Sequence, residues 1–142
     1  MQAATAYKRG SQIFVHSSSR TTAGVWLLSE PVAAVAVDDP EELGRRILEA
    51  LNASKDQVPH PKSWKNLFDP VLHLAGVKSW STFVKSAKCV EIEAINGVAK
   101  LIPTRNLGAD DGFSPLIEKA ESCETSPDKL GAALLIVMRD SI

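Results

Sequence analysis

Three histidines and three pairs of acids are the side chains of this sequence whose types and spacing could support acid-base or metal chemistry. The histidines are His16, His60 and His73. None belongs to an H-E-x-x-H pair or another pair at helical spacing, the arrangement that a zinc-dependent hydrolase needs. His73 lies on an apolar helical pattern, where a packing role is expected. His60 lies between two prolines, where a contact to a ligand or partner is an alternative to plain loop architecture.

The acid pairs could share a proton or bind a cation. They are Asp38-Asp39, Glu91 with Glu93, and Asp110-Asp111. Each pair also has a structural interpretation: a helix cap, the polar face of a strand, and a turn before a glycine. The sequence therefore predicts no metal ion and no cofactor.

A nucleophilic hydrolase would need a serine or cysteine on a strained turn, near a histidine and an acid. No G-x-S-x-G motif occurs, and no glycine-rich loop for phosphates or dinucleotides. Cys89 and Cys123 are too few for a zinc knuckle or a disulfide framework, so reduced thiols are expected. The sequence predicts a protein that is not an enzyme. A small enzyme acting on a polar substrate is the alternative, through Arg20, Lys78, Arg105 and His60.

Composition predicts one globular domain spanning residues 1–142, with about residues 1–11 as a flexible N-terminus. The 142 residues are 44% hydrophobic and 23% charged, as in soluble domains. The net charge of −1 gives no basic field for nucleic acid. No signal-like segment and no apolar run of about 20 residues is present, so the cytoplasm is expected and a membrane is not. Nothing indicates an oligomeric state.

The first half is predicted to consist of strands followed by a helix. Residues 12–15 form a strand that ends in a polar turn at 17–20. Residues 24–29 and 32–37 are apolar on both alternating faces, which favours two strands covered on both sides. Asp39 then caps a helix whose first turn holds a proline and two acids. Its buried stripe is predicted to be Leu43, Ile47, Ala50 and Leu51.

The second half is predicted to contain a long loop at 54–70, short helices at 70–74 and 79–87, strands at 89–95, 98–103 and 113–120, and a last helix. Asn96-Gly97 favours a type I′ turn between two of the strands, because both residue types tolerate positive φ. The last helix begins at Ser126-Pro127-Asp128.

The two halves show the same order of roughly three strands and a helix. Residues 39–44 (DPEELG) and 126–131 (SPDKLG) match as cap, proline, acid, leucine and glycine. Good helix caps resemble one another, so this match is compatible with a duplication without requiring one. The fold class predicted is α+β, a mainly antiparallel sheet packed against helices, which could be two pseudo-repeated strand-strand-strand-helix halves.

Two surface segments are suited to protein recognition. Residues 107–128 hold six acids against one base, and such a patch could face a basic partner or form a solvated edge. Trp64, in the proline-rich loop, is an interface candidate, because tryptophan is enriched at interface hot spots. Trp26 and Trp80 lie in apolar segments, where a core role is expected.

Six blocks of the chain resemble the immunity proteins of bacterial contact-dependent growth inhibition systems. They are residues 19–26 (SRTTAGVW), 29–32 (SEPV), 58–61 (VPHP), 76–80 (GVKSW), 103–108 (PTRNLG) and 111–113 (DGF). The resemblance implies a cytoplasmic protein that neutralises the C-terminal toxin domain delivered by neighbouring cells. Such toxins are commonly nucleases, and immunity works by occluding the active site or an adjacent surface.

The resemblance supplies no catalytic residues, and toxin-contacting residues differ between pairs of this family. The candidates for the interface therefore come from this sequence alone. They are Asp110, Asp111, Glu118, Glu121, His60, Trp64, Lys78 and Arg105. A general protein-binding adaptor without a toxin partner is the remaining alternative.

Overall fold

The computed structural model describes residues 1–142 as one sheet with helices on both faces. Its strands are β1 (Gln2–Arg9), β2 (Gln12–Arg20), β3 (Trp26–Ala36), β4 (Lys88–Ile95), β5 (Val98–Asn106), β6 (Phe113–Pro115) and β7 (Glu121–Glu124). Its helices are α1 (Pro40–Ala53), α2 (Asp69–Ala75), α3 (Trp80–Val84) and α4 (Pro127–Met138), with a 3-10 turn at Ile117–Lys119. No helix combines the length and the apolar character that crossing a bilayer requires.

All strand pairs in the sheet are antiparallel, in the order β3-β2-β1-β4-β5-β6, and β7 pairs with the other half of β5. The predicted α+β class is confirmed. β1 lies near the centre, bonded to β2 on one edge and to β4 on the other. The prediction of a flexible segment at residues 1–11 is therefore corrected. That strand is hard to find in the sequence because its buried residues include the small Ala4 and Ala6, which carry little strand signal.

β2 and β3 differ from their predicted forms. β2 continues to Arg20, so the polar residues 17–20 are strand and not turn. β3 is one strand at the sheet edge, partly exposed along its length, instead of two strands covered on both sides. Glu30 and Pro31 have no partners in β2, since the pairing steps from Ser29 to Val32. An edge strand tolerates proline because its missing N–H interrupts no ladder there.

α1 and α4 cover one face of the sheet and bury the main core. Asp39 accepts a hydrogen bond from the backbone N–H of Glu42, which confirms the predicted cap of α1. The predicted stripe of α1 is buried throughout. α4 buries Leu130, Leu134 and Val137 against the same face.

The two helices approach closely at Gly44 and Gly131. A Cβ on Gly44 would lie 1.6 Å from the carbonyl oxygen of Pro127, and one on Gly131 would lie 2.1 Å from the carbonyl oxygen of Pro40. Each glycine therefore meets the helix start of the other half. The contact is thus reciprocal between the two helices, and β1 and β4, the first strand of each half, are paired antiparallel at the centre of the sheet.

α2 and α3 cover only part of the opposite face. There they enclose a second core of aromatic and aliphatic side chains. The Phe83 ring lies 5.2 Å from that of Tyr7, 5.7 Å from that of Phe14 and 5.3 Å from that of Trp80, measured between centroids. Trp80 is stacked between Phe68 and Phe83, which confirms its expected core role.

The second half of the sheet confirms one prediction and corrects another. β4 and β5 form the predicted hairpin, with Asn96 and Gly97 at φ +51° and +79°. The predicted strand at 113–120 is instead the short strand β6 followed by the 3-10 turn, and β7 begins only after it, at Glu121. Pro115 ends β6 because a proline cannot donate a ladder hydrogen bond.

Candidate functional site

The strand register aligns side chains of β2, β1 and β4 in three rows on the face that α2 and α3 cover in part. Tyr7 is paired with Phe14 and Cys89, and this row is buried under the two helices. The next row is His16, Thr5 and Glu91, and the last is Ser18, Ala3 and Glu93. These two rows extend beyond the aromatic core.

The second and third rows form the floor of a pocket of about 320 Å³. Thr5 and Ala3 lie on the central strand, and their short side chains leave a depression between the larger residues on β2 and β4. Trp26, Leu28 and Phe68 are among the apolar residues that line it. A polar and acidic floor with apolar walls is the arrangement by which small pockets orient a ligand group.

His16 is the buried polar group of this floor. It is 3% exposed, and its Nδ1 lies 2.8 Å from the carbonyl oxygen of Ser17. A carbonyl can only accept, so Nδ1 carries the proton and Nε2 is an acceptor. Nε2 has no partner in the structure. Burial lowers the pKa of His16 to about 4, so the ring is neutral at physiological pH.

Glu91 and Glu93 supply negative charge on the other side of the pocket. They lie two residues apart on one strand face, so their Cα atoms are about 7 Å apart. Burial and the neighbouring Glu93 both raise the pKa of the Glu91 carboxyl. Neither carboxylate is in an ion pair. The prediction that both alternate onto one strand face is confirmed, but that face is half-buried.

The buried neutral His16 predicts a loss of stability in mild acid. Its pKa is about 4 when folded, against 6.5 as the reference for an unfolded chain. Between these values the unfolded state binds a proton that the folded state does not, so the free energy of unfolding falls as pH drops from 6.5 and levels off below about 4. The loss is about 3 kcal/mol.

Urea unfolding of the wild type and of His16→Phe, measured from neutral pH to about pH 4, tests this dependence. The variant should lose less stability over that range, by about 3 kcal/mol, whatever its stability at neutral pH. Identical slopes for the two proteins would contradict the assignment.

His60 and Trp64 lie beside one end of β2. The loop that carries them is joined to β2 by a bridge between Thr21 and Val58 and by two hydrogen bonds from Arg20 to Asp56. His60 Nδ1 lies 3.0 Å from Thr21 Oγ1, and its ring is 5.5 Å from that of Trp64. Trp64 is 58% exposed. The same loop continues into Leu67 and Phe68, which line the pocket.

The four acidic candidates lie at the other edge of the sheet. Asp110 and Asp111 are exposed in the turn after β5, Glu118 is exposed in the 3-10 turn, and Glu121 is exposed on β7. β1 and β4 separate β5 from β2, which corresponds to about 14 Å of sheet between those two strands. The structure therefore does not bring the acidic candidates together with His60 and Trp64.

No hydrogen bond or ion pair joins a basic candidate to His60, whose side chain is hydrogen-bonded to Thr21. Lys78 is exposed between α2 and α3, and Arg105 is exposed on β5 beside β6. The Arg20 guanidinium is paired with Asp56 and lowers the pKa of that carboxyl. None of the four residues of the enzyme alternative lines the pocket.

Sequence reasoning missed most of the pocket. Trp26, expected in the core, is 36% exposed and lines the pocket at the sheet edge. The spacing of Glu91 and Glu93 indicates that both lie on one strand face, but no sequence pattern shows that His16 lies on the same face of the sheet. Only the strand register across β1 places His16 in one row with Glu91.

No three histidine, cysteine or acidic side chains converge in a way that could hold a metal ion. Both cysteines are free; Cys89 is buried and Cys123 is half-buried. Burial raises the pKa of each thiol.

Comparison with known proteins gives a family match and two similar folds. The family model described as CdiI, CDI immunity protein, matches residues 2–140. A protein of unknown function, NMB0488 from Neisseria meningitidis, superposes with a TM-score of 0.81 at 19% identity, over 99% of this chain and 95% of that one. A chain of the CdiA-CT/CdiI toxin and immunity complex from Yersinia pseudotuberculosis superposes with a TM-score of 0.80 at 14% identity, over 99% and 97%. No curated protein sequence matches.

Proposed function

This chain belongs to the family of CDI immunity proteins, and from that premise we propose that it neutralises its cognate toxin by covering the toxin's active site or an adjacent surface. CDI denotes contact-dependent growth inhibition, and the toxin is the C-terminal domain of the effector delivered by a neighbouring cell. The immunity protein acts in the cytoplasm of the cell that makes it.

The pocket and its apolar rim support this role. Met1 and Trp26 are large apolar side chains that line the pocket while 59% and 36% exposed. An exposed aromatic beside a concave, partly desolvated surface is typical of the centre of a protein interface. We propose the open half of this sheet face as the toxin-binding surface, with Trp64 on the adjoining loop.

The toxin is proposed to be a nuclease. Negative charge is presented both by the pocket floor and by the segment 107–128 at the far edge of the sheet. A nuclease active site is basic because it binds phosphates, so these acids would favour its approach. Asp110, Asp111, Glu118 and Glu121 are proposed to act at longer range than the pocket, with Lys78 and Arg105 at the margins of the interface.

Growth rescue and pull-down with the toxin domain encoded immediately upstream test the proposed function. Cells that express the toxin domain should grow when this protein is co-expressed, and the two proteins should co-purify. A toxin domain that stays toxic and unbound in its presence would refute the proposal. A nuclease assay of the purified toxin, with and without this protein, tests the toxin class.

Charge reversal at the four acidic candidates should weaken toxin binding in a salt-dependent way. The Lys variant of Asp110, Asp111, Glu118 and Glu121 should bind roughly tenfold more weakly at low salt, mainly through a slower on-rate. The deficit should shrink at high salt, because screening shortens the range of the field. Stopped-flow or surface plasmon resonance at two salt concentrations measures it.

The matched control reverses four exposed acids on the side of the helices α1 and α4. They are Asp38, Glu41, Glu49 and Asp140. The control changes net charge equally but alters a different surface, so it should reduce binding less. Equal losses in both variants would assign the effect to net charge and remove the segment 107–128 from the interface.

The enzyme alternative predicts that alanine at Arg20, Lys78, Arg105 or His60 abolishes an activity without unfolding the protein. The adaptor alternative predicts a gene distant from any toxin locus. The gene neighbourhood therefore separates the adaptor alternative from the proposed function, and the alanine variants test the enzyme alternative.

A further inference from the structure

We propose that the pocket binds a single arginine side chain of the toxin domain, with its guanidinium held between Glu91 and Glu93 on β4 and His16 on β2. This inference rests on the proposed function and adds the chemistry of the contact. Charge, hydrogen bonding and shape each support it.

The negative charge of the pocket favours a cationic ligand. Glu91 and Glu93 are half-buried like charges on one strand face without an ion-pair partner. Lys100 is paired with Glu93 in the β4–β5 register, but its ammonium forms no ion pair with the Glu93 carboxylate. A cation placed between the two carboxylates would relieve their mutual repulsion.

The hydrogen-bonding atoms of the two carboxylates and Nε2 of His16 are acceptors, which favours a ligand that donates hydrogen bonds and accepts none. Carboxylates accept hydrogen bonds, and so does the buried Nε2 of His16, which has no partner in the structure, because Nδ1 donates its proton to the carbonyl oxygen of Ser17. β2 and β4 are two strand spacings apart, about 10 Å, with the short Thr5 between them. A guanidinium has five donors in a planar fork and can bridge acceptors on both sides, whereas an ammonium is a compact point charge.

The walls suit the plane and stem of an arginine. Trp26 and Phe68 line the pocket with aromatic surface, on which a guanidinium can stack. The volume of about 320 Å³ is at the small end of ligand pockets. It holds one long side chain and leaves no room for a helix or a hairpin.

Isosteric neutralisation of the two carboxylates tests the inference. Glu91→Gln/Glu93→Gln should bind the toxin domain at least roughly 30-fold more weakly than the wild type. The variant should fold, because it removes a half-buried repulsion and keeps the side-chain shapes. The matched control, Glu118→Gln/Glu121→Gln, removes the same charge from an exposed edge and should weaken binding much less.

The partner residue is found by changing each surface arginine of the toxin domain to lysine. One change should weaken binding to the wild type, and it should have little further effect against Glu91→Gln/Glu93→Gln, since the contact is already lost. Full affinity of every lysine variant would overturn the choice of guanidinium. Unchanged affinity of Glu91→Gln/Glu93→Gln would overturn the inference while leaving the proposed function intact, whereas a wild type that fails to bind would refute the proposed function itself.

Discussion

Replacing Gly44 by alanine is expected to lower the free energy of unfolding by about 3 kcal/mol, the upper end of the usual cost of overpacking. Alanine is the better helix former by about 1 kcal/mol, so helix propensity alone predicts the opposite sign. The added methyl group, however, would lie 1.6 Å from the backbone oxygen of Pro127. Backbone at a helix start cannot rotate away as a side chain can, so α1 and α4 must move apart.

Gly131→Ala should be destabilising for the same reason, because its methyl group would lie 2.1 Å from the oxygen of Pro40. The double variant should lose less than the sum of the two, since both changes separate the same pair of helices. Urea unfolding measures all three. Asn52→Ala, at an exposed position of α1, is the control and should be neutral or slightly stabilising. A neutral Gly44→Ala would contradict the close helix crossing.

Replacing Trp26 by alanine is expected to weaken toxin binding by at least about 30-fold, the effect of removing an interface hot spot. Trp26 lines the pocket while 36% exposed, so it offers a large aromatic surface to a partner. Because it lies on the edge strand and is already partly solvated, its loss should cost the free protein little stability. Binding isotherms and thermal unfolding of the same variant separate the two effects.

Two further variants locate the interface around Trp26. Trp64→Ala should weaken binding less, since Trp64 is 58% exposed on the neighbouring loop. Ile136→Ala removes an apolar side chain, 54% exposed, from α4 and should leave binding unchanged. A Trp26→Ala protein with wild-type affinity would move the proposed interface away from this pocket. An effect of Ile136→Ala larger than that of Trp26→Ala would move it to the helices α1 and α4.

The sequence predicted those parts of the fold whose signals are local. The start of α1 follows from Asp39 and the proline after it, and the β4–β5 hairpin follows from Asn96-Gly97, because caps and tight turns are specified by adjacent residues. The family was recognisable from short blocks spread along the chain. β1 escaped prediction because the residues that it buries in the main core are the small Ala4 and Ala6, which bury little surface and have a low strand propensity.

The pocket was decided by tertiary structure alone. His16, Thr5 and Glu91 come from three strands, and Trp26 from a fourth, so no spacing in the sequence relates them; pairing with β1 sets the register that does. The strand order of the sheet also leaves Trp26 exposed, because β3 lies at the edge and has β2 as its single neighbour. Gly44 and Gly131 occupy corresponding positions near the two helix starts, which the sequence shows. Only the packed helices show that each glycine contacts the backbone at the start of the other helix. Local signals thus determined the start of α1, the β4–β5 hairpin and the kind of protein, and long-range strand pairing determined which side chains share the pocket.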